Sequence, residues 1–153
     1  MKSSQADEAA IRQALRLLTD SSRDVPVAAL VLGPDGEVLA SATNDRAGGT
    51  DPTAHAEVTA LRAAGLFRDN WRLDDCTLVV TLEPCPMCAG AAVNARIRRL
   101  VFGAWNAGYG ACGSLFDIPR DPRIPHRPEV IGGVLEEECR LALTSFFEDR
   151  RGG

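Results

Sequence analysis

The chain carries His55-Ala56-Glu57 and, 27 positions further along, Pro84-Cys85-Pro86-Met87-Cys88. Each segment stands where a strand-like or loop-like stretch changes to a helical pattern, so each is predicted to begin a helix. In a layered α/β protein such junctions lie near the ends of neighbouring strands, and ligands gather there. The two segments therefore predict the fold class and the place of a site together.

Strands and helices alternate along the rest of the chain after an opening hairpin. Ser4 and Asp7 have the spacing of a capping box that begins the first helix. Residue patterns predict strands at 25–32, 37–43, 76–81, 100–103 and 129–131, and helices at 54–64, 83–95 and 135–150. The segment 105–127 is too long for a simple connection, so we expect it to be either functional or disordered. This order indicates an α/β sheet with helices on both faces.

Length and composition are those of one globular domain, which we expect to span residues 1–153. Hydrophobic residues make up 45% of the 153 positions and charged residues 25%, which is ordinary for a protein with its own core. The sequence has no apolar run of the length that a membrane span needs, and its N-terminal segment lacks the apolar stretch of a signal peptide. We therefore expect no association with a membrane.

Five cysteines are present, and two of them form a CxxC. An odd number does not suggest a secreted disulfide framework, so the pattern favours a reducing cytoplasm. Cys76, Cys112 and Cys139 are predicted to be small buried thiols. Trp71 is predicted to pack in the core, whereas Trp105 fits a core position and a base-stacking surface about equally well.

The charge is acidic overall, and its basic part is almost entirely arginine. The net charge is −4, and 16 of the 17 basic residues are arginine. Many of these lie late in the chain, at positions 96, 98, 99, 120, 123, 127, 150 and 151. They are compatible with a local basic groove that binds nucleic acid, and equally with solvated arginines on ordinary surfaces.

His55, Cys85 and Cys88 offer one imidazole and two thiolates, the donor types that zinc accepts. Three protein ligands leave the fourth position of tetrahedral zinc for water, which becomes nucleophilic near neutral pH. Glu57 is then free to act as a general acid and base. A structural zinc site would instead need a fourth ligand, and a chance CxxC beside a core histidine would bind no metal. Candidates for a fourth ligand are His126, Cys76, Cys112 and Cys139.

The pattern H-x-E followed by P-C-x-x-C is the signature of zinc-dependent nucleobase deaminases. The longer sequences around it resemble those of the bacterial tRNA adenosine deaminases over roughly residues 25–151. The Gly-Ser-Leu sequence at 113–115 and the Phe-Phe pair in the last helix indicate the tRNA-acting branch. The segments that carry the resemblance are 51–57, 81–91, 101–104, 110–115 and 138–151.

The resemblance implies a cytidine deaminase-like fold, a three-layer α/β/α arrangement around a central mixed five-stranded sheet. It implies one zinc ion per subunit, a homodimer, and conversion of adenosine to inosine at the wobble position of a tRNA anticodon stem-loop. It also implies that Asn44 hydrogen-bonds the target base or ribose, and that Ala104 and Phe147 line the nucleotide pocket.

Three further residues are expected to contact RNA. Asn106 lies in the RNA-facing loop, at a position where family members commonly have aspartate, and Arg150 and Arg151 form a basic pair at the end of the last helix. Two rival interpretations remain. One is a deaminase of free cytosine, guanine or a nucleotide, which would not need the arginine-bearing tail. The other is a non-catalytic binding module stabilised by zinc.

Overall fold

The computed structural model of the protein describes residues 3–18, 24–44 and 49–151, and only the backbone of residues 149–151. Within these residues no helix combines the length and the apolar character of a membrane span. The helices are α1 (Gln5–Leu15), α2 (Ala56–Arg68), α3 (Pro86–Asn94) and α4 (Glu136–Arg151). The strands are β1 (Ala28–Leu32), β2 (Val38–Thr43), β3 (Thr77–Leu82), β4 (Arg99–Ala104) and β5 (Glu129–Ile131), with a 3-10 turn at Ile118–Arg120.

The strands form a mixed five-stranded sheet in the order β2-β1-β3-β4-β5. β1 is antiparallel to β2 and to β3, whereas β3, β4 and β5 run parallel, with Val79 opposite Val101. Gly36 in the hairpin turn has a φ of 81°, which glycine adopts without steric strain. Parallel β3 and β4 need a crossover connection, and α3 lies in it. The predicted mixed sheet is confirmed.

Helices cover both faces of the sheet. On one face α2 and α3 pack over a buried apolar cluster that includes Ala60, Ala89 and Phe102. On the other face α1 and α4 pack over a second cluster that includes Ile11 and Cys139. Because successive side chains of a strand point to opposite faces, the central strands contribute to both clusters. The predicted α/β/α layers are confirmed.

The capping box at the start of α1 is present, and it also ties α1 to the sheet. The Asp7 N–H donates to the Ser4 hydroxyl at 3.1 Å, and the Asp7 carboxylate accepts from the Ser4 N–H at 3.1 Å. The same carboxylate pairs with Arg99 of β4 at 3.2 Å. Burial opposes ionisation of Asp7, but the hydrogen bond from Arg99 outweighs it together with the other contacts, so the pKa of Asp7 is lowered.

Two helix boundaries differ from the prediction by three residues or more. α2 accommodates Gly65 and continues to Arg68, and it ends at Asp69 in the left-handed conformation with a φ of 51°. α3 begins at Pro86 rather than at 83, because the Glu83 N–H bonds a carbonyl of β4 at 2.8 Å and keeps this stretch extended beside the sheet.

The prediction that Trp71 packs in the core is wrong. Its side chain is 62% exposed. It lies in the connection between α2 and β3, where the guanidinium groups of Arg72 and Arg96 approach its ring centroid to 5.5 and 6.0 Å. Trp105 packs its ring edge-on against Phe102, with 4.9 Å between ring centroids.

Cys76, Cys112 and Cys139 are buried, as predicted, and all five cysteines are free thiols. Burial raises the pKa of Cys76 and of Cys139 to about 11, and it raises the pKa of Cys112 as well. These three thiols therefore stay protonated near neutral pH, which makes them poor nucleophiles and poor metal ligands.

Candidate metal centre and active site

Two helix N-termini approach each other just beyond the C-terminal end of β3. His55 is the N-cap of α2 and Cys85 is the N-cap of α3, both with extended backbone at ψ of 150° and 174°. Pro86 takes the first position of α3, where its missing N–H would have no helical partner in any case. Both helices direct the positive ends of their dipoles toward this point, which favours thiolates.

The three predicted ligands come together here. Nδ1 of His55 lies 3.6 Å from Sγ of Cys85 and 3.4 Å from Sγ of Cys88, and the three donor atoms all lie within 4.8 Å of one another. Zinc–nitrogen and zinc–sulfur bonds of about 2.0 and 2.3 Å at a tetrahedral angle place N and S roughly 3.5 Å apart. The separations therefore fit a tetrahedral zinc ion.

Among the described residues, no further His, Cys, Asp or Glu joins this group of donors. Nε2 of His126 lies 2.6 Å from the Ile97 carbonyl oxygen, and the Cys76 thiol contacts Arg68 at 3.3 Å. The candidate fourth ligands of a structural zinc site therefore contact other groups or are buried away from the three donors. A site with three protein ligands keeps one position open for water, as catalytic zinc sites do.

The two cysteines of the CxxC share one negative charge when no metal is bound. The Cys88 thiol donates a hydrogen bond to Cys85, and this bond lowers the pKa of Cys85 to about 5. The same hydrogen bond, together with burial, raises the pKa of Cys88. Binding of a metal requires both sulfurs as thiolates and therefore releases the remaining proton.

Glu57 takes the second position of α2 and is 5% exposed. Residues two apart on a regular helix face different directions, but His55 precedes the helix with extended backbone, so both side chains reach the same cavity. Burial raises the pKa of the Glu57 carboxyl, whereas a bound divalent cation acts in the opposite direction. Glu57 is therefore placed to accept and to release a proton.

A cavity of about 190 Å³ opens onto this centre. Cavities for drug-sized ligands begin at about 300 Å³, so this one suits a single ring system such as a nucleobase. Its wall combines apolar and polar side chains beside the metal ligands. They are Val25, Val27 and Leu82, and Asn44, Glu57, Glu83, Asn106 and Tyr109.

Two of the residues predicted to bind substrate, Asn44 and Asn106, line this cavity. Ala104 is not brought to it: the residue is 2% exposed and packs in the second apolar cluster. Phe147 lies on α4, is 46% exposed, and contacts Phe146 edge-on with 5.3 Å between ring centroids. The structure thus joins the two asparagines to the metal centre and leaves Ala104 and Phe147 outside the cavity wall.

Two of the late arginines, both within the segment 105–127, are paired with acidic side chains in the described part of the chain. Arg120 and Arg123 each form an ion pair with a nearby aspartate, at 2.8 and 2.6 Å. The side chains of Arg150 and Arg151 lie outside the described residues. The basic character of the 105–127 segment is therefore partly neutralised.

Glu83 and Tyr109 also line the cavity, although neither was predicted from the sequence to do so. Glu83 is 1% exposed. The sequence feature that could have indicated Glu83 is a charged residue between an apolar strand and Pro84. Burial of a charge at such a position is costly unless hydrogen bonds or an ion pair compensate it. Tyr109 is 56% exposed and is the one tyrosine of the chain, in a loop rich in Gly and Ala.

Residues 4–104 match the sequence profile of the cytidine and deoxycytidylate deaminase zinc-binding region. The matched segment contains the imidazole, the two thiols and the unliganded carboxyl of the centre described above. The chain belongs to the cytidine and deoxycytidylate deaminase family. Zinc is the metal of this family's site, and the donor spacing of the deaminase agrees with it.

This deaminase is 43% identical over 150 residues to the tRNA-specific adenosine deaminase of Haemophilus influenzae. The aligned region covers 97% of this chain and 87% of the relative. It is 42% identical over 142 residues to the Bacillus subtilis protein of the same name, covering 93% and 86%.

Solved structures share the fold of the deaminase. One, from a study of A-to-I editing by tRNA:A34 deaminases at the wobble position of transfer RNA, matches with a TM-score of 0.76 and 36% identity over 91% of this chain and 96% of that one. A guanine deaminase from Nitrosomonas europaea matches with a TM-score of 0.74 and 26% identity, covering 91% and 83%. The predicted cytidine deaminase-like fold is confirmed.

Proposed function

We propose that this deaminase converts adenosine to inosine at the wobble position of a tRNA anticodon, with zinc held by His55, Cys85 and Cys88. The observation that carries the proposal is the buried Glu57 carboxyl beside a three-donor zinc site, in the wall of a cavity sized for one base. Identity of 42–43% to two tRNA-specific adenosine deaminases, against 26% to a guanine deaminase, favours adenosine in tRNA over a free base.

His55, Cys85 and Cys88 would hold the zinc ion, which would act as a Lewis acid and make water a nucleophile near neutral pH. A carboxylate oxygen of Glu57 accepts a proton from the water that attacks C6 of adenine. Glu57 passes this proton to the adjacent ring nitrogen, and then transfers the second proton of the water to the leaving amino group, which departs as ammonia. Because Glu57 is almost fully shielded from solvent, the protons move between its carboxyl and the substrate.

The target base has to leave its stack to reach the centre, and single-stranded loops are the part of RNA that opens most readily. Asn44 and Asn106 supply amides that can hydrogen-bond the base or ribose from the cavity wall. The backbone N–H of Asn44 bonds the Val27 carbonyl at 3.0 Å, which holds the residue in place. The Ala104 carbonyl accepts the Glu83 N–H, so Ala104 contacts a residue of the cavity wall without lining the cavity itself.

The test is inosine formation on an anticodon stem-loop with adenosine at the wobble position, using protein of verified zinc content. Free cytidine, free guanine and the matching DNA hairpin are run in parallel. We expect inosine in the RNA. Turnover of the free bases without turnover of the stem-loop would instead favour the small-molecule deaminase, and full zinc content with no turnover of any substrate would favour the binding module.

We propose that Arg150 and Arg151 contact tRNA phosphates beyond the cavity, as the resemblance implies. Replacing both arginines by alanine is expected to weaken stem-loop binding. It should also lower the slope of log Kd against log salt concentration by about 1.4, because each phosphate contact in a single strand contributes about 0.7 to that slope. The control replaces two arginines on other surfaces, Arg16 and Arg72, and should leave the slope unchanged. An unchanged slope in the first variant would remove the pair from the RNA contact surface.

We propose a homodimer that uses the groove between α2 and α3. This groove has a volume of about 590 Å³ and is lined mainly by apolar side chains, among them Leu61, Leu73 and Trp71. Leu66 at its edge is 78% exposed, and the neighbouring Phe67 is 71% exposed. A contiguous apolar surface of this kind is typical of an interface, and a second copy of the chain is the occupant that the family resemblance implies.

Replacing Leu66 by glutamate is expected to convert the dimer to a monomer, because it places a charge in the apolar contact. Light scattering coupled to size exclusion measures the change, from about twice 16.3 kDa to 16.3 kDa. Leu141→Glu is the matched control, since Leu141 is also exposed, on α4, and should leave the dimer intact. A Leu66→Glu protein that keeps the dimer mass would place the interface elsewhere.

We also propose that residues 1–153 work as one deaminase domain in the cytoplasm. The two apolar clusters lie on opposite faces of the same sheet, so the described elements all pack on one sheet. The five free cysteines, two of them needed as thiolates, suit a reducing compartment.

A further inference from the structure

The Glu83 carboxylate lies at the end of β3 and is almost completely withdrawn from solvent, with 1% exposure. Its Oε1 accepts a hydrogen bond from the Asn106 N–H at 2.9 Å, and its Oε2 accepts from the N–H groups of Cys112 and Ser114, each at 3.0 Å. The Ser114 hydroxyl also donates to Oε1. One side chain thus satisfies four donors of the segment 106–114, which we call the cavity loop.

The cavity loop is wrapped closely around this carboxylate. A Cβ atom added to Gly110 would overlap the Glu83 carboxyl group, which its hydrogen bonds hold in place, so glycine at this position allows the close approach. The loop is closed by its own backbone as well, since the Gly110 N–H donates to the Asn106 carbonyl at 2.7 Å and the Leu115 N–H donates to the Gly110 carbonyl at 2.9 Å. The loop conformation is therefore built around Glu83.

The cavity loop in turn carries part of the cavity wall. Asn106 and Tyr109 both line the cavity, as Asn44 does. The Asn106 side-chain oxygen accepts from the Tyr109 N–H at 3.2 Å, so these two residues are coupled. Tyr109 leaves 56% of its surface exposed beside the cavity, where its ring is available for stacking on a nucleobase.

We propose that Glu83 is a positioning residue for nucleotide binding: it holds the cavity loop so that Asn106 and Tyr109 face the substrate. The inference rests on the proposed function for the identity of the nucleotide. The strand end itself is held by the Glu83 backbone, whose N–H bonds a β4 carbonyl at 2.8 Å, so the four side-chain hydrogen bonds serve the loop. Glu83 acts on the substrate through these loop residues.

The test is Glu83→Gln, which keeps the size of the side chain but replaces one acceptor oxygen by an NH₂ that faces N–H donors. We expect full zinc content and at least about tenfold faster amide hydrogen exchange in a peptide covering 105–116, because hydrogen bonds to a charged acceptor are lost. KM for the stem-loop should rise about tenfold or more, while kcat falls less than about threefold. Ser114→Ala, which removes one of the four donors, should raise KM by a smaller factor.

Asp7→Asn is the matched control, because Asp7 is also a buried carboxylate with several donors but lies on α1, on the opposite face of the sheet. It should lower Tm and leave both KM and loop exchange unchanged. Unchanged loop exchange in Glu83→Gln would overturn the inference, as would loss of zinc or a fall in kcat at constant KM. If wild-type protein forms no inosine in RNA, the proposed function fails, and the exchange measurement alone then decides whether Glu83 positions the loop.

Discussion

Replacing Glu57 by alanine is expected to lower kcat for inosine formation by about 10²–10⁴-fold or more, the range that a positioned general acid–base group contributes. The carboxyl is buried beside the three metal donors but is not one of them. Its removal takes away the group that carries protons to the ring nitrogen and to the leaving amine. The donor set stays complete, so zinc should remain at one per subunit.

The measurement pairs single-turnover rates on the stem-loop with zinc analysis of the same preparation. Glu57→Gln serves as the matched variant, because it preserves volume and polarity and removes only the ability to exchange a proton. Both variants should lose at least about 10²-fold in rate and stay fully metallated. Loss of zinc in either would show that Glu57 is a ligand, and turnover near the wild-type rate would assign the proton transfers to another group.

Replacing Cys88 by alanine is the second change with a large expected effect. Cys88 is completely buried, and its sulfur is 3.4 Å from Nδ1 of His55. Changes in groups that only support a ligand lower metal affinity about 10–100-fold, so loss of a ligand should lower it by more than about 100-fold. When the free zinc concentration is about 100 times its Kd, zinc binding to the folded state adds about 2.7 kcal/mol to the free energy of unfolding. Loss of this contribution should lower the Tm of Cys88→Ala by about 5–10 °C.

Cys139→Ala is the control for this experiment, because Cys139 is an equally buried thiol on the opposite side of the sheet. It should keep zinc and activity, with a modest loss of Tm from packing. Addition of a chelator should lower the Tm of wild-type protein and of Cys139→Ala, and should leave that of Cys88→Ala unchanged. A Cys88→Ala protein that retains zinc would require a different donor set.

The parts of the site that were predicted from the sequence are those in which chemistry and local pattern coincide. His55, Cys85 and Cys88 are donor residues at helix starts, so their side chains and their place in the fold could be inferred together. The five strands were predicted with boundaries wrong by a few residues at most. The burial of Trp71 was predicted wrongly because residue type indicates a preference for the core, whereas exposure depends on which elements pack around a connection.

The sequence by itself determined the kinds and number of the metal donors, the unliganded carboxyl beside them, and the order of strands and helices. These features follow from the chemistry of single residues and from the spacing of apolar residues within one helix or strand. Only the tertiary structure decided which residues form the cavity wall: that Ala104 packs away from it and Tyr109 stands beside it. It also decided that Glu83 holds the cavity loop. These outcomes depend on contacts between residues 23 to 31 positions apart, whose pairing is set by the packing of the whole sheet and not by any local pattern.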